Sequence, residues 1–348
     1  TRMFSYLLYN SILLSSLVFG YLAEYANFKQ FRFLARFIVF IGLFLPAALR
    51  YDVGYDYWSY SAIYTGIMDA GSAVEPGFLF LQEAGRSLNL DTQWIFVLSS
   101  FVMYFPIAFL IGRKSFFLIV TFYTLYLYLE GLSFVRQYLA VTFLIVGLYH
   151  YLYSCGKKKY LVYFFSSLLF HLSSIFYLLT LFIRNWKIKS SGVIWTIVIV
   201  GYIMFVKLAL AEHAFTVVGL ILPRYAAYAD SSYNVDTELG SGVGVLLRLT
   251  IPFCVFLYRG RLLQANPRNN YLIWLNIAYV IVTYLTIEIA ILGRLNDLFS
   301  FVLLFSVSGL LQMNSINKKV IIVLLLFFSL LLFEKNITHV YPYQSILD

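Results

Sequence analysis

Charged and reactive side chains are scarce in this chain of 348 residues. Only 12% of the residues are charged, and there are two cysteines and four histidines. Cys155 and Cys254 lie in or at the end of apolar segments, which argues against a disulfide framework. The sequence has no metal-type His/Cys spacing, no phosphate-binding or dinucleotide-binding glycine pattern, and no Gly-x-Ser-x-Gly element. It therefore predicts no metal and no cofactor, and it gives no support to an ATP-driven mechanism.

Apolar residues, in contrast, make up 61% of the chain. Soluble domains are about 45–50% apolar and about 25% charged, so a soluble fold of this size has no way to bury so much apolar surface. The sequence predicts an all-α polytopic membrane protein, folded as one domain over residues 1–348 without internal repeats. Spanning helices need about 20 apolar residues. They are expected near residues 3–22, 33–49, 92–111, 115–131, 134–154, 191–210, 243–259, 271–291, 295–312 and 318–333.

Two further stretches depart from the pattern of full spans. Residues 76–90 are short and carry charged side chains, which predicts an amphipathic helix at the membrane interface. Residues 160–184 are long enough to cross once, but His171 and the two following serines interrupt the middle. We expect a broken, re-entrant hairpin of two half-length helices, with His171 near its tip.

In a soluble protein, the net charge of +9 would suggest binding to nucleic acid. In a membrane protein, the distribution of basic residues first indicates which face of the protein is cytoplasmic. If residues 160–184 enter and leave on one side, 16 of the 25 basic residues and only one acidic residue, Glu24, fall on the same face. The positive-inside rule makes that face cytoplasmic, and no nucleic acid partner is expected. The prediction is a multi-pass protein of the bacterial cytoplasmic membrane with ten full spans, the hairpin and both termini outside. Two longer segments, residues 50–91 and 211–242, lie outside as well.

Arginine dominates the basic residues of the outer half. Guanidinium binds phosphate and carboxylate through two hydrogen bonds and stays charged, so this bias suggests a bound anion. An unpaired arginine at mid-bilayer costs about 2.5–3.5 kcal/mol, so these side chains must face a wet cavity or pair with acids such as Glu130, Glu288 and Asp297. The alternative is that they form structural ion pairs or reach to the interface. The outer arginines are Arg50, Arg86, Arg136, Arg224, Arg248 and Arg294.

The first outer segment opens with "LRYDVGYDYWSY" at 49–60, an unusual concentration of acids and aromatic rings. Asp52, Asp56 or Glu75 would be able to take a proton from a sugar hydroxyl as a general base. Tyrosine and tryptophan rings suit sugar rings, although an aromatic belt at the interface is the common alternative and is favoured for Trp58. His171 is a candidate proton relay or phosphate ligand, or else a buried polar contact. The other rings of this element are Tyr51, Tyr55, Tyr57 and Tyr60.

Six short motifs in order resemble the EpsG branch of the Wzy-type polysaccharide polymerases. They are "RYDVGYDYWSY" at 50–60, "EPGF" at 75–78, "FVRQYLA" at 134–140, "FHLSS" at 170–174, "RYAAY" at 224–228 and "GRLNDLF" at 293–299. The resemblance implies a GT-C-type membrane glycosyltransferase that needs neither nucleotide sugar nor metal. Such an enzyme transfers a growing glycan from undecaprenyl pyrophosphate to a hydroxyl on the non-reducing sugar of a lipid-linked repeat unit. The reaction takes place on the outer face of the cytoplasmic membrane.

The resemblance also implies roles for individual residues. Arg50, Arg136, Arg224 and Arg294 are assigned to the pyrophosphate and the leaving group, Asp56 is the first choice for general base, and Asp52 is the second. Arg248 is nominated by its depth in a span alone. Further substrate contacts are expected from Tyr57, Tyr60, Glu75, Gln137 and His171. A chain-length regulator and a flippase are expected partners.

Three rival functions remain open at this point. A flippase or transporter for lipid-linked oligosaccharides would place its polar site near the midplane, and the broken hairpin is its one supporting feature. An O-antigen ligase would share the donor but use another acceptor. A membrane acyltransferase acting on glycans would use His171 as its base.

Overall fold

In the computed structural model, most of the described part of the chain is helical. The structure describes residues 2–68, 74–154, 157–208, 242–287, 292–313 and 318–347, with positions 210, 213, 216, 219 and 220 between them. Within these residues the only extended pairing is an isolated antiparallel bridge between Arg50 and Ser345. The prediction of an all-α protein is confirmed for the described residues.

The helices are numbered here in chain order. The first nine are α1 Arg2–Tyr25, α2 Lys29–Leu49, α3 Tyr57–Thr65, α4 Pro76–Ser87, α5 Gln93–Phe109, α6 Phe116–Tyr123, α7 Leu129–Ser133, α8 Val135–Tyr153 and α9 Lys157–Leu168. The remainder are α10 Ile175–Ile183, α11 Ser191–Tyr202, α12 Val243–Leu257, α13 Arg259–Ala265, α14 Asn269–Leu285, α15 Gly293–Phe299, α16 Val302–Gln312 and α17 Lys318–Asn336. A π-helical turn, Thr124–Tyr128, joins α6 to α7, and another, Ile203–Lys207, follows α11.

Five helical segments of the described chain are long and apolar enough to cross a membrane. They are Arg2–Tyr25, Lys29–Leu49, Phe116–Ser133, Gly293–Gln312 and Lys319–His339. Shorter apolar helices such as Gln93–Phe109, with 17 residues, rise about 25 Å, somewhat less than a 30 Å hydrocarbon core. These helices indicate a membrane protein, whereas the count of ten full spans stays a prediction.

The interruption predicted within residues 160–184 is present. Helix α9 ends at Leu168, His171 has an extended backbone (φ −157°, ψ 116°), and a 3₁₀ turn, Leu172–Ser174, leads into α10. The break follows from polar residues placed where an apolar helix would otherwise continue. Whether the two halves return to one side of the membrane stays a prediction. Residues 76–90 likewise contain the expected helix, α4.

The chain divides into two compact units, one of Thr1–Ile175 with Phe327–Asp348 and the other of Phe176–Leu326. In the first unit α1 packs on α2 and α6, and α8 packs on α5 and α9. Its core is close-packed, since a Cβ added to Gly20 would lie 2.9 Å from the Val120 side chain. In the second unit α14 packs against α11, α12 and α16. The single-domain organisation predicted from the sequence stays a prediction.

Candidate functional site

Glu75 occupies the position just before α4, and its neighbours explain how it is placed. The N–H of Gly77 donates to the carbonyl of Leu169 over 2.7 Å, at the end of the broken helix α9. A Cβ on Gly77 would lie 2.7 Å from that same oxygen, which is closer than real Cβ atoms come. Pro76 suits the first helical position because its missing N–H is not needed there. The "EPGF" motif therefore docks the start of α4 directly on the helix break.

The Glu75 carboxylate joins three separate parts of the chain. One oxygen, Oε2, pairs with Nη1 of Arg136 over 2.9 Å. The other, Oε1, accepts from the backbone N–H of Leu172 over 3.3 Å and lies 3.5 Å from Nδ1 of His171. The Glu75 side chain is only 5% exposed, against 21% for Arg136 and 18% for His171. A buried carboxylate thus holds two partly exposed basic side chains.

The same contacts set the charge state of Glu75. Burial raises the pKa of its carboxyl, but the adjacent His171 and the positive charge of Arg136 outweigh burial and lower the pKa from 4.5 to about 2. Glu75 is therefore ionised at neutral pH, and it is poorly suited to accept a proton from a substrate. Its geometry fits a residue that positions Arg136 and His171.

Tyr60 connects this cluster to the first outer segment. Its ring is 4% exposed, and its hydroxyl lies 3.5 Å from Oδ2 of Asp56, a long contact. Burial raises the pKa of the Tyr60 phenol to about 12; Asp56 also raises it, and Arg136 lowers it. Tyr60 thus lies close to both the candidate base and the candidate anion ligand.

The backbone of residues 50–56 is held tightly against the chain just before Arg136. Gly54 has φ +96°, and a Cβ there would overlap the Leu132 carbonyl and lie 2.9 Å from Cα of Ser133. The N–H of Tyr55 donates to Oγ of Ser133 over 3.3 Å. Since Ser133 ends α7 and Arg136 lies in the first turn of α8, this docking sets where Asp56 lies relative to Arg136.

The five rings of residues 50–60 fall into two groups. Tyr57 is 4% exposed and stacks on Phe96 with ring centroids 4.3 Å apart, so it is an interior side chain like Tyr60. The remaining rings are exposed, and the indole N–H of one of them, Trp58, donates to Asp52. The exposed members are Tyr51, Tyr55 and Trp58.

Arg50 differs from the other candidate anion ligands because it is buried, with 2% of its surface exposed. Its guanidinium lies 4.7 Å from the ring centroid of Phe96, and Nη1 donates to the carbonyl of Ala47. These contacts close the end of α2, and Arg50 is therefore placed as a helix-capping side chain. Contact with a pyrophosphate would require this side chain to leave its interior position.

The other predicted residues are placed as follows. Gln137 is buried in the first turn of α8. Arg248 on α12 and Arg294 on α15 are half-buried members of the second unit. In the "GRLNDLF" motif, buried Asn296 accepts from the Thr283 hydroxyl over 3.1 Å, which ties α15 to α14. Arg224 and Glu288 lie outside the described residues.

Ser173 and Gln93 also contact candidate residues, and the sequence assigned neither of them a role in the site. Oγ of Ser173 lies 3.2 Å from Nε2 of His171, and Gln93 donates to the carbonyls of Ala48 and Arg50 over 2.6 and 3.1 Å. Ser173 belongs to the "FHLSS" motif, so the sequence offered a reason to consider it. Gln93 belongs to no motif and is a single polar residue at the start of an apolar helix, so the sequence did not indicate a role for it. Across the residues that the structure describes, no group of three metal-ligating side chains is close enough to hold an ion.

Comparison with known proteins agrees with the motifs. The EpsG family model matches residues 33–346, which is nearly the whole chain. No curated protein and no solved structure matches the sequence of this chain. The family suggests an exopolysaccharide or O-antigen polymerase-like role and points to a glycosyltransferase-like enzyme associated with membranes. The resemblance that the six motifs predicted is confirmed, and the chain belongs to the EpsG family.

Proposed function

We propose that this protein is a polysaccharide polymerase that works on lipid-linked repeat units at the outer face of the bacterial cytoplasmic membrane. Its donor is a growing glycan on undecaprenyl pyrophosphate, and its acceptor is a hydroxyl on the non-reducing sugar of a second lipid-linked unit. Family membership supports the polymerase-like class. The lipid carrier, the membrane side and the linkage chemistry are part of the proposal.

The observation that carries the proposal is the cluster around Arg136. Glu75 anchors this arginine at 2.9 Å, and Tyr60 lies near both Arg136 and Asp56. Glycosyl transfer from a pyrophosphate requires a cation where charge develops on the leaving group and a base where the acceptor loses its proton. An arginine and a carboxylate linked by one tyrosine meet both requirements within a single unit.

The proposed reaction follows directly from these roles. The acceptor hydroxyl transfers its proton to Asp56 as its oxygen forms a bond to the anomeric carbon of the donor sugar. The bond between that carbon and the phosphate oxygen breaks, and its electron pair leaves with the lipid pyrophosphate. Arg136 stabilises the negative charge that develops there, and His171 is a second donor on the same Glu75 anchor. The pyrophosphate role of Arg224 and Arg294 stays a prediction from the family resemblance, and Arg248 stays a candidate nominated by its depth in a span.

The exposed rings are proposed to receive the sugars. Tyr51 and Trp58 pack edge to face with ring centroids 5.8 Å apart, and Asp52 accepts from the Trp58 indole. The exposure of both rings and the bond from the Trp58 indole to the Asp52 carboxylate support a contact with sugar in water. This favours a sugar contact for Trp58 over the belt assignment made from sequence.

One experiment separates the proposed function from its rivals. Purified protein in liposomes is given synthetic undecaprenyl-pyrophosphate repeat units without nucleotide sugar. The proposal predicts a ladder of lipid-linked products of increasing length. Unchanged substrate that moves across the bilayer would instead indicate a flippase. Transfer only to added lipid A core would indicate a ligase, and acyl transfer to the glycan from an added acyl donor would indicate an acyltransferase.

A further inference from the structure

The end of α2 is completed by a distant part of the chain. A helix leaves its last four carbonyls without intrahelical partners. Here all four accept hydrogen bonds, and two of the donors come from the segment 339–346, which we call the C-terminal strap. The donor pairs are Tyr343 Oη to Pro46 (3.0 Å), Arg50 Nη1 to Ala47, Gln93 Nε2 to Ala48 (2.6 Å) and Ile346 N to Leu49 (3.0 Å).

The strap also fixes the first residue after this helix end. The N–H of Tyr51 donates to the carbonyl of Gln344 over 2.9 Å, and Arg50 and Ser345 face each other in an antiparallel bridge. The backbone on both sides of Arg50 is therefore bonded to the strap. The direction of the chain as it leaves α2 is set by these bonds.

A second set of contacts anchors the strap to α1. The Tyr9 hydroxyl donates to the carbonyl of Val340 over 3.1 Å, and the N–H of Tyr343 donates to Oγ of Ser5 over 2.8 Å. Val340 is 3% exposed and Tyr343 is 7% exposed, so both side chains are buried. The strap is thus built into the first unit and does not merely lie on its surface.

A third contact reaches the other end of residues 50–56. The Tyr55 hydroxyl lies 2.9 Å from Nδ1 of His339. Tyr55 immediately precedes Asp56, whereas Tyr51 immediately precedes Asp52. The strap therefore contacts residues 50–56 at both ends, next to each of the two candidate acids.

We propose that the C-terminal strap positions residues 50–56 so that Asp56 faces its substrate, with Tyr343 as its principal positioning residue. Tyr343 contributes three fixed points at once: its hydroxyl on Pro46, its N–H on Ser5, and its ring edge to face with Tyr9 at 6.1 Å. Glu75 and Arg136 are held by another set of contacts: their own ion pair, and the bonds of Glu75 to the helix break at Leu172. Loss of the strap contacts is thus expected to misplace the base while leaving the anion ligand in place. The base role of Asp56 and the identity of the reaction rest on the proposed function, whereas the positioning of residues 50–56 by the strap does not.

The test uses the full-length chain with Tyr343→Ala, and Tyr341→Ala as its matched control. Tyr341 belongs to the same strap and is 41% exposed, and its ring lies near Arg2 at the surface. Amide hydrogen exchange is measured without substrate, and turnover is measured with lipid-linked repeat units. In Tyr343→Ala we expect exchange within 50–57 to rise about tenfold or more, while exchange at Gly77 and Leu172 stays as in the wild type. Turnover should fall about tenfold, with the donor KM within about twofold of wild type.

Three results would overturn the inference: unchanged exchange within 50–57, unchanged turnover despite faster exchange, or equal effects from the Tyr341 control. If Tyr343→Ala does not fold, Tyr343→Phe keeps the ring and removes the hydroxyl that donates to Pro46. The expected exchange change then centres on the end of α2 and on Tyr51. Because exchange is read without substrate, a wild-type protein that makes no polymer would contradict the polymerase proposal and leave the strap result intact.

Discussion

Glu75 and Arg136 lie 61 positions apart in the sequence and form an ion pair 2.9 Å long, with the carboxylate almost fully buried. A buried ion pair adds little net stability, because desolvation of both charges offsets their attraction. Its consequence here is geometric. Arg136 is fixed on one side by Glu75 and keeps part of its surface exposed, as an anion ligand requires.

Glu75→Gln is predicted to remove a pH-dependent part of the stability. The folded-state pKa of Glu75 is lowered from 4.5 to about 2, so its stabilising contribution is complete above pH 4.5 and is lost as the pH falls toward 2. At pH 7 the substitution should cost about 1–3 kcal/mol. Thermal melts in detergent from pH 7 to 3 should show wild type and variant converging as the pH falls.

The control for this measurement is Glu83→Gln, which changes an exposed acid on α4, the helix that Glu75 precedes. It should leave the pH dependence of the wild type in place. A constant difference in Tm between Glu75→Gln and wild type across the whole range would contradict the lowered pKa and the anchoring role that rests on it.

Asp56→Asn is predicted to abolish polymer formation without unfolding the protein. The asparagine amide has nearly the same shape as the carboxylate but does not take a proton from the acceptor hydroxyl. Loss of a general base lowers the rate about 100-fold or more. Initial rates of chain extension with lipid-linked units would measure this. Asp52→Asn serves as the comparison, since Asp52 is held by Trp58. If only Asp52→Asn is inactive, the base role passes to Asp52.

Gly54→Ala is predicted to be more damaging than Gly66→Ala, although both glycines have positive φ. A left-handed residue with a side chain costs about 1–2 kcal/mol at either site. At Gly66 (φ +77°) the added methyl group meets nothing within 4 Å, whereas at Gly54 it overlaps the Leu132 carbonyl. The difference in Tm between the two variants therefore isolates the docking of residues 50–56. Equal shifts in Tm and equal product lengths would show that this docking does not matter.

Much of the fold follows from local sequence features. Long apolar runs predict α1, α2 and α17 because lipid accepts only helices whose backbone groups bond within the segment. The helix break is predicted by His171, Ser173 and Ser174, because these polar residues interrupt an apolar stretch. The helix α4 follows from Pro76 at its first position and from the spacing of its apolar residues.

The candidate site was predicted less completely because its contacts join remote positions. Arg50 and Arg136 look alike in sequence, yet one caps α2 in the interior and the other is partly exposed. Tyr57 and Tyr60 share one face of a short helix and turn inward together, as the helical period allows, whereas Trp58 turns outward. The contacts of the strap were not predictable from its sequence, because most of them are made by its backbone groups, which every residue type carries.

The most direct test of the central claim is the chain-length distribution made by Arg136→Ala in liposomes with synthetic undecaprenyl-pyrophosphate repeat units. Removing one donor that stabilises a developing anion costs about 100- to 1000-fold in rate. We predict a wild-type ladder, no product beyond the starting unit from folded Arg136→Ala, and a full ladder from the exposed control Lys335→Ala. Wild-type chain lengths from a stable Arg136→Ala protein would contradict the account.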